Sequence, residues 1–379
     1  MEASPERRGG ADDGVQCSVL MPVLNEERHI AASVAAMRDQ TFEGRMEFLV
    51  IDGGSTDRTL EILSELASED PRIRILPNPR RSTPSGLNVG LAHARGRWVA
   101  RMDAHTSYPA DYVALGVRRL ARGDTRWVSG PPIATGNGPV SRAVALALRT
   151  PLGRGGSRKW ASDRDAAAGE YDLDSGLFAG VWERDTLLAF GGWDERWARN
   201  QDSEMAGRFL ERGERLVCLP AMASEYTPRN SIPSLWRQYL EYGEYREWTA
   251  ARHPQTMRRS HLLAPGLVVT TALAVAAPGP LRRAARGGLA LYAAALASGG
   301  VTAVRDADDP RAAALVPVVL AVMHFGHGAG MLRGVVRHGV PAAALARVLG
   351  LEEIAARLWP EPMPVYAPSL EAAPRAAAA

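Results

Sequence analysis

Two stretches of the sequence indicate the fold most directly: Phe48-Leu49-Val50-Ile51-Asp52-Gly53-Gly54-Ser55-Thr56-Asp57 and Arg97-Trp98-Val99-Ala100-Arg101-Met102-Asp103-Ala104-His105. In each stretch a run of strand-forming residues leads into an acidic loop. Ligands of an α/β sheet bind at the carboxyl ends of its parallel strands, so both loops are expected at the binding edge. One carboxylate there can hydrogen-bond a base or ribose, and another can hold a divalent cation against a diphosphate. The pair therefore indicates an enzyme that handles a nucleotide-activated sugar.

Strands and helices alternate around these loops. Apolar runs predict strands at 18–23, 47–51, 72–76 and 98–102, and apolar residues at helical spacing predict helices at 26–40, 59–67 and 85–94, with Asp57 as an N-cap. This order is typical of a mostly parallel sheet with helices on both faces. The chain has neither Gly-x-Gly-x-x-Gly after the first strand nor a P-loop motif, which argues against both kinds of phosphate site.

The composition is that of one large globular domain with an appendage, or of two ordinary domains. Of 379 residues, 23% are charged and 46% are apolar, and the net charge of +3 is too small to indicate nucleic acid binding. Cys17 and Cys218 lie in apolar runs and are expected to be buried thiols in a reducing compartment, with a disulfide as the alternative. Residues 1–14 lack the apolar core of a signal peptide, which predicts a cytoplasmic catalytic part.

The composition changes sharply near His261. Three Ala- and Gly-rich apolar stretches follow, at 262–278, 287–304 and 312–332, each close to the roughly 17–25 residues that span a bilayer. Small residues suit close helix packing in lipid, and the alternative is a soluble Ala-rich helical domain. The tail from about Pro360 is rich in Pro and Ala, which predicts disorder.

Basic residues flank these stretches and predict their orientation, because cytoplasmic flanks collect Lys and Arg. Three simple crossings would place the cluster Arg282, Arg283 and Arg286 outside. A first stretch that dips in and returns, bent at Pro265 or Pro278, keeps the basic clusters inside. We therefore expect two true spans.

A series of motifs in order along the chain resembles one enzyme family. The motifs are Pro22-Val23-Leu24-Asn25-Glu26, the Asp52 and Asp103 loops, Gly86-Leu87-Asn88-Val89-Gly90, Gly191-Gly192-Trp193-Asp194 and Asn200-Gln201-Asp202-Ser203-Glu204. Together they resemble the inverting glycosyltransferases of family 2, most of all the succinoglycan-biosynthesis branch, over residues 17–248. The resemblance implies an α/β protein with the GT-A nucleotide-diphospho-sugar transferase fold, followed here by a C-terminal helical membrane segment.

The donor side is predicted from these motifs and from the strand ends. Pro22 and Asn25 would frame the base and ribose, and Asp52 would accept the N3–H of uracil. Glu26 and Asn88 are further predicted nucleotide-sugar contacts. Structural alternatives exist for three of them: Asp52 as a turn-stabilising residue, Glu26 as a helix start and Asn88 as a helix-surface amide.

Asp103 is predicted to hold Mn²⁺ or Mg²⁺ against the donor diphosphate. A cation bound by a carboxylate and phosphate oxygens neutralises the leaving group. The family pattern is Asp-x-Asp, and this chain has His105 at the third position. Imidazole accepts Mn²⁺ more readily than Mg²⁺, so His105 is predicted as a second ligand. Alternatively, His105 hydrogen-bonds a phosphate and Asp103 binds the cation alone.

Asp202 is predicted to be the general base. An inverting transfer needs a carboxylate that removes the proton of the acceptor hydroxyl as this attacks the anomeric carbon. The family commonly has Glu-Asp here, and Gln201 replaces the Glu. The alternative for Asp202 is a helix N-cap, and Glu204 is expected to favour the helix dipole. The acceptor-side motif contributes Gly192, Trp193 and Asp194.

Two further features concern substrate handling. Arg229 is predicted to stabilise charge on the leaving UDP, with an ordinary surface arginine as the alternative. The Gln-x-x-Arg-Trp signature of processive synthases is absent, because Gln238 is followed by Tyr-Leu-Glu-Tyr, and this predicts addition of one sugar. Five aromatic residues at helical spacing are expected to pack, with sugar stacking as the lesser option: Trp236, Tyr239, Tyr242, Tyr245 and Trp248.

These features predict transfer of a hexose from a UDP-sugar to a lipid-linked, polyprenyl-diphosphate glycan in exopolysaccharide or cell-envelope assembly. The predicted organisation is a disordered N-terminus (1–15), a GT-A domain (16–255), membrane-associated helices (256–350) and a flexible tail (351–379). The predicted location is the cell membrane, with the catalytic domain cytoplasmic. The competing hypotheses are a nucleotidyltransferase, whose Gly-rich Arg loop is missing, and a non-catalytic sugar-nucleotide-binding membrane protein, which the altered His105 and Gln201 would suit.

Overall fold

The computed structural model describes residues 14–155, 157, 169–305, 307, 309–351 and 353. Most of the predicted disordered N-terminus and tail therefore lies outside the described residues. The strands are β1 (Val15–Val23), β2 (Arg45–Asp52), β3 (Ile73–Pro77), β4 (Trp98–Arg101), β5 (Thr106–Ser107), β6 (Trp127–Ser129), β7 (Pro132–Ala134), β8 (Tyr171–Asp172), β9 (Gly180–Glu183), β10 (Leu216–Cys218) and β11 (Ser224–Tyr226).

The α-helices in the described residues alternate with the strands at first and then follow one another. They are α1 (Ile30–Arg38), α2 (Thr59–Glu69), α3 (Thr83–His93), α4 (Tyr112–Leu120), α5 (Pro139–Arg149), α6 (Pro151–Arg154), α7 (Arg184–Ala189), α8 (Gln201–Glu211), α9 (Ile232–Arg252), α10 (Leu263–Ala276), α11 (Gly279–Arg305), α12 (Pro310–His338) and α13 (Ala342–Leu349). The three predicted N-terminal helices are present as α1, α2 and α3, with α1 beginning four residues later than expected.

The N-terminal half of the main sheet is parallel, as predicted. The strand order is β3-β2-β1-β4-β9-β6-β10-β8, and β3, β2, β1 and β4 pair in parallel. In this register Val23 lies opposite Asp52, so the Pro22 loop and the Asp52 loop leave the sheet side by side.

The second half of the sheet is mixed, in contrast to the mostly parallel sheet expected. Strand β9 pairs antiparallel with both β4 and β6, and β8 pairs antiparallel with β10. These strands are only two to four residues long, too short for a period of two to be read from the sequence. A separate three-stranded sheet has the order β5-β11-β7.

Two apolar layers bury the main sheet. Val19 and Phe48 belong to one cluster, which also contains Leu63 of α2, whereas their neighbours Leu20 and Leu49 belong to the other, with α3 and α8. Successive side chains of a strand point to opposite faces, so both faces carry a core. Cys17 and Cys218 are buried and form no disulfide with each other, as expected.

The long C-terminal helix α12 packs along α9. A Cβ on Gly330 would lie 2.1 Å from the carbonyl oxygen of Leu240, and one on Gly326 would lie 3.1 Å from Cβ of Tyr239. The expected close packing through small residues is therefore present, but the partner of α12 is a helix that also contacts the sheet domain. The helix α9 contacts the sheet domain, for example where Nε1 of Trp197 donates to the hydroxyl of Thr249 at 3.0 Å, and α5 packs against α12 as well.

Two segments among the described residues are long and apolar enough to cross a bilayer, Arg259–Ala276 and Pro310–His338. Their number equals the two predicted spans, but they are the first and third stretches. The second stretch lies in α11, whose first turns carry Arg282, Arg283 and Arg286. Helix α10 has 14 residues, about 21 Å at 1.5 Å per residue, which is shorter than a hydrocarbon core of about 30 Å.

Candidate active site

One buried arginine lies at the centre of the predicted site. Arg101, the last residue of β4, is 3% exposed. Its guanidinium donates to the two carboxylate oxygens of Asp103, at 2.8 and 3.0 Å, and to Oδ1 of Asp202, at 2.9 Å. Burial alone would lower the pKa of Arg101, but the adjacent carboxylates of Asp103 and Asp202 outweigh it and raise the pKa. Arg101 is therefore a permanent cation between the predicted metal ligand and the predicted base.

Local structure brings the two carboxylates to this arginine. Asp103 lies two residues after the end of β4, and its backbone N–H donates to the hydroxyl of Tyr108 at 2.9 Å. Asp202 is the second residue of α8, whose N-cap is Asn200 at a left-handed φ of 61°. The N-cap alternative for Asp202 is thus wrong, because the chain turns into the helix two residues earlier. Its carboxylate points to Arg101 instead.

His105 lies beside Glu26 at the rim. The exposed imidazole has its Nδ1 3.1 Å from Oε1 of Glu26, and this hydrogen bond raises the pKa of His105. The positive charge of Arg229 opposes this effect and lowers the pKa of His105. Glu26 also begins a helical turn, as its carbonyl accepts from the N–H of Ile30 at 2.8 Å.

The donor atoms around Asp103 fit a cation that is shared with a diphosphate, and not one held by the protein alone. No cluster of three or more His, Cys, Asp or Glu side chains that could hold a metal ion occurs in the described part of the chain. Asp103 and His105 would supply one carboxylate and one imidazole, and phosphate oxygens would have to complete the shell. Both oxygens of Asp103 already accept from Arg101, so a cation there must share the carboxylate with this guanidinium.

The Asp52 carboxylate stabilises its own loop. It accepts from the N–H of Gly54 at 2.8 Å and from the N–H of Ser55 at 3.1 Å. Asn25, at a left-handed φ of 56°, accepts from the N–H of Thr56 at 2.8 Å and so joins the two loops. The turn-stabilising role of Asp52 is present in the structure. Its contact with uracil stays a prediction.

Asp57 acts in capping, although not at the predicted position. The N-cap of α2 is Arg58, without a side-chain cap bond. Oδ1 of Asp57 accepts from the N–H of Thr59 at 3.0 Å and from its hydroxyl. The N-cap assignment to Asp57 was wrong by one residue, but its carboxylate still satisfies a free N–H at the helix start.

Asn88 and the Gly-Gly-Trp-Asp motif hold each other in place. The amide of Asn88 donates to the carbonyl of Trp193 at 2.8 Å and accepts from its N–H at 2.9 Å. Trp193 is fully buried, and Asp194 forms an ion pair with Arg196 at 2.6 Å. The carbonyl of Gly192 accepts from Arg208 at 2.7 Å. The acceptor-side assignment of this motif stays a prediction, and burial restricts Trp193 and Asp194 to positioning.

Glu204 is also structural. It is 1% exposed and forms an ion pair with Arg208 at 2.8 Å, while Nε2 of His253 lies 3.4 Å away. Neither Glu204 nor Asp194 is therefore placed to replace Asp202 as a base. Among the aromatic residues of α9, Trp248 packs as expected, because it stacks on Trp197 at 3.9 Å and on the imidazole of His338 at 4.6 Å. Trp236 and Tyr242 are exposed, and Tyr239 and Tyr242 line a cleft, so sugar stacking by these residues stays a prediction.

One cleft of about 1700 Å³ gathers a subset of the predicted residues. Its lining includes Pro22, Glu26, Asp103, His105, Asp202 and Arg229. The described lining does not include Asn25, Asp52, Asn88 or the Gly192-Trp193-Asp194 motif. Arg101, which also lines the cleft, was missed from the sequence. The sequence feature that could have indicated Arg101 is a charged residue at the end of an otherwise apolar strand, just before the acidic motif.

The chain is similar in sequence to glycosyltransferases. A model of glycosyl transferase family 2 matches residues 18–167. The succinoglycan biosynthesis protein ExoA of Rhizobium meliloti (strain 1021) is 33% identical over 238 residues, which cover 62% of this chain and 70% of that protein. A second relative is 25% identical over 238 residues, covering 60% of this chain and 71% of its own length: the dolichyl N-acetyl-alpha-D-glucosaminyl phosphate 3-beta-D-2,3-diacetamido-2,3-dideoxy-beta-D-glucuronosyltransferase of Methanococcus voltae.

A solved structure has the same fold. The mannosyltransferase PcManGT from Pyrobaculum calidifontis, in complex with GDP-Man and Mn²⁺, superposes with a TM-score of 0.52 at 20% identity. The match covers 86% of this chain and 90% of that chain, so it extends beyond the sheet domain. At this identity the likeness concerns the fold.

Proposed function

The chain belongs to glycosyltransferase family 2, and from this premise we propose that it transfers one hexose from a UDP-sugar, with inversion, to a lipid-linked glycan acceptor. The observation that carries the proposal is the ion pairing of Arg101 with both Asp103 and Asp202, which holds the two carboxylates in one cleft. We call these three residues the Arg101 clamp. An inverting transfer needs a base and a diphosphate site within reach of a single sugar ring, and this pair supplies both.

The proposed reaction is a single displacement. The carboxylate of Asp202 takes the proton of an acceptor hydroxyl, whose oxygen attacks the anomeric carbon while the bond from that carbon to the diphosphate breaks. Arg101 fixes the position of the Asp202 carboxylate through the 2.9 Å hydrogen bond to Oδ1. Arg229 lines the same cleft and would compensate negative charge on the departing UDP.

A divalent cation, Mn²⁺ or Mg²⁺, is part of the proposal. Asp103 and His105 would hold it, and when bound it supplies positive charge that neutralises the leaving diphosphate. The related fold of PcManGT was solved with Mn²⁺, which supports the proposal at the level of the fold. The choice of UDP rests on Asp52, at the end of β2, as acceptor for the N3–H of uracil.

The proposed acceptor is a polyprenyl-diphosphate glycan at a membrane. The name of the relative from Methanococcus voltae describes an acceptor on a dolichyl phosphate, and that of the Rhizobium meliloti relative describes succinoglycan biosynthesis. The apolar segments Arg259–Ala276 and Pro310–His338 would associate with the bilayer and follow a catalytic domain at 16–255 that faces the cytoplasm. The function would then be one step of exopolysaccharide or cell-envelope assembly.

A donor screen tests the proposal. Purified full-length protein in neutral detergent is incubated with each of a set of UDP- and GDP-sugars, Mn²⁺ and a membrane extract as acceptor source, and transfer into the lipid fraction is measured. We expect transfer from a UDP-hexose, addition of a single residue and the opposite anomeric configuration in the product. Transfer from GDP-sugars only, or formation of a polymer, would overturn the donor or the single-addition part of the proposal.

A further inference from the structure

The cleft continues from the clamp towards the C-terminal helices. Its lining includes Arg101 and Asp202, and also Leu263 and Leu267 of α10 and Tyr292 of α11. Leu263 is 74% exposed. The cavity thus joins a charged reaction centre to an apolar wall formed by helices outside the sheet domain.

Arg246 of α9 lines the same cleft. Its guanidinium Nη2 reaches Oγ of Ser203, the neighbour of Asp202, at 3.3 Å and Oδ1 of Asn200 at 3.4 Å. Both distances are long for hydrogen bonds. No ion pair joins Arg246 to a carboxylate among the described residues, in contrast to Arg101 and Arg208 nearby.

A second cation, Arg258, lines the cleft together with Arg246. Burial and then the charge of Arg258 lower the pKa of Arg246 to about 10, and Asp174 opposes this only in part. Arg258 forms its own ion pair with the exposed carboxylate of Asp174. Its backbone N–H donates to Nδ1 of His261 at 3.2 Å, and His261 lines the cleft two residues before Leu263. An anion at this point would stabilise two cations that otherwise repel each other.

We propose that Arg246, Arg258 and His261 form a subsite for the diphosphate of the acceptor lipid, with the hydrocarbon chain lying along α10 and α11. The inference rests on the proposed lipid-linked acceptor and names the residues that recognise it. A basic cluster next to an exposed apolar wall matches an amphiphile with an anionic head. The same diphosphate chemistry occurs in the donor, but the subsite adjoins the base and α10, whereas Asp103 and His105 lie at the end of β4.

Binding to the full-length protein in neutral detergent tests the subsite. The probes are geranylgeranyl diphosphate, the uncharged geranylgeraniol and UDP, each titrated into wild type, Arg246→Met, Arg246→Lys and Arg283→Met. Arg283 is an exposed residue of α11 outside the cleft lining and serves as the control for general attraction of anions. Loss of a charge-assisted contact should weaken geranylgeranyl diphosphate binding by tenfold or more in Arg246→Met.

The other measurements should separate the causes. Arg246→Lys should retain part of the affinity, Arg283→Met all of it, and binding of UDP and of geranylgeraniol should not change in any variant. The subsite is wrong if Arg246→Met binds geranylgeranyl diphosphate like wild type, if wild type does not bind it, or if UDP binding falls in parallel. An unchanged melting temperature of Arg246→Met excludes misfolding as the cause, and Arg246→Lys decides the question if that variant is unstable.

Donor hydrolysis, measured in the same preparations, keeps the two proposals apart. If lipid binding does not depend on Arg246 while donor hydrolysis is normal, the subsite is wrong and the proposed transferase activity is not affected. If lipid binding depends on Arg246 but no sugar is transferred to any lipid-linked glycan, the subsite is supported and the proposed reaction is wrong.

Discussion

The carboxylates of Asp103 and Asp202 share one buried guanidinium, that of Arg101, through hydrogen bonds of 2.8 to 3.0 Å. Asp103 lies two residues after β4, and Asp202 lies in the first turn of α8. Two negative charges so close would repel each other, and the cation between them makes the arrangement stable. Arg101 therefore couples the donor side of the proposed site to its base.

Removal of the shared cation should damage both folding and activity. Arg101→Met leaves two buried carboxylates without their partner, which we expect to lower the free energy of unfolding by about 3–5 kcal/mol. Arg101→Lys should lose less stability but still lose turnover, because an ammonium cannot reproduce the forked geometry. Thermal unfolding and donor hydrolysis measure the two effects. Arg97→Met, at an exposed arginine before β4, is the control and should behave like wild type.

Loss of the proposed base should change chemistry and not binding. A general base acts in the transition state, so Asp202→Asn should reduce kcat by about 10²–10⁴-fold. Calorimetric titration with UDP should give the wild-type affinity, and the melting temperature should remain close to that of wild type because the amide can still accept from Arg101. Turnover within a few-fold of wild type would mean that Asp202 is not the base.

The cation dependence should trace to Asp103. Asp103→Asn should remove most transfer and weaken UDP binding in Mn²⁺, since the carboxylate charge is lost. Asp57→Asn is the matched comparison, because its carboxylate serves the start of α2, and it should mainly cost stability. Full activity in EDTA, or in the Asp103→Asn protein, would contradict a metal-dependent mechanism.

His105 should set the preference between cations. Because imidazole is a softer ligand than carboxylate, His105→Asp is expected to keep activity and to shift it from Mn²⁺ towards Mg²⁺. Initial rates are compared over a concentration series of each ion. If His105→Ala equals wild type with both ions, the imidazole is not a ligand, and its hydrogen bond to Glu26 is its only role at the rim.

The buried carboxyl of Glu247 should make stability depend on pH. Glu247 is fully buried on α9, its two oxygens have no hydrogen-bond partner among the described residues, and burial with the charge of Glu244 raises its pKa to about 7. A folded pKa above the unfolded value means that stability is fully present below about pH 4.5 and is lost as the pH rises through 7. The cost of ionisation should reach up to about 3 kcal/mol.

Glu247→Gln tests this pH dependence. The variant should unfold like wild type near pH 4 and be the more stable protein at pH 8.5, as measured by thermal unfolding. The exposed Glu65→Gln is the control and should show no difference at either pH. Equal stability of Glu247→Gln and wild type at pH 8.5 would show that the carboxyl finds a partner or water in solution.

The strands that carry the loops of the proposed site can be predicted from the sequence, whereas the interactions between distant elements cannot. The loops after β1, β2 and β4 were located to within a residue or two, because apolar runs and loop signals are local. The antiparallel β9 was not foreseen, since four residues carry no readable period. Trp193 and Asp194 were expected on the acceptor side from a motif, yet both are buried, which no local pattern could reveal.

The family, the parallel half of the sheet and the positions of Asp103 and Asp202 near the ends of their elements could all be predicted from the amino-acid sequence. These follow from short-range periodicity and from motifs in which neighbouring residues act together. Other contacts appear only in the folded chain: Arg101 joins the two carboxylates, Glu204 pairs with Arg208, and no ion pair to a carboxylate is found for Arg246 within the described part of the chain. The reason is physical: a charge inside a folded chain is defined by the groups that reach it, and those groups come from helices and strands far apart in the sequence.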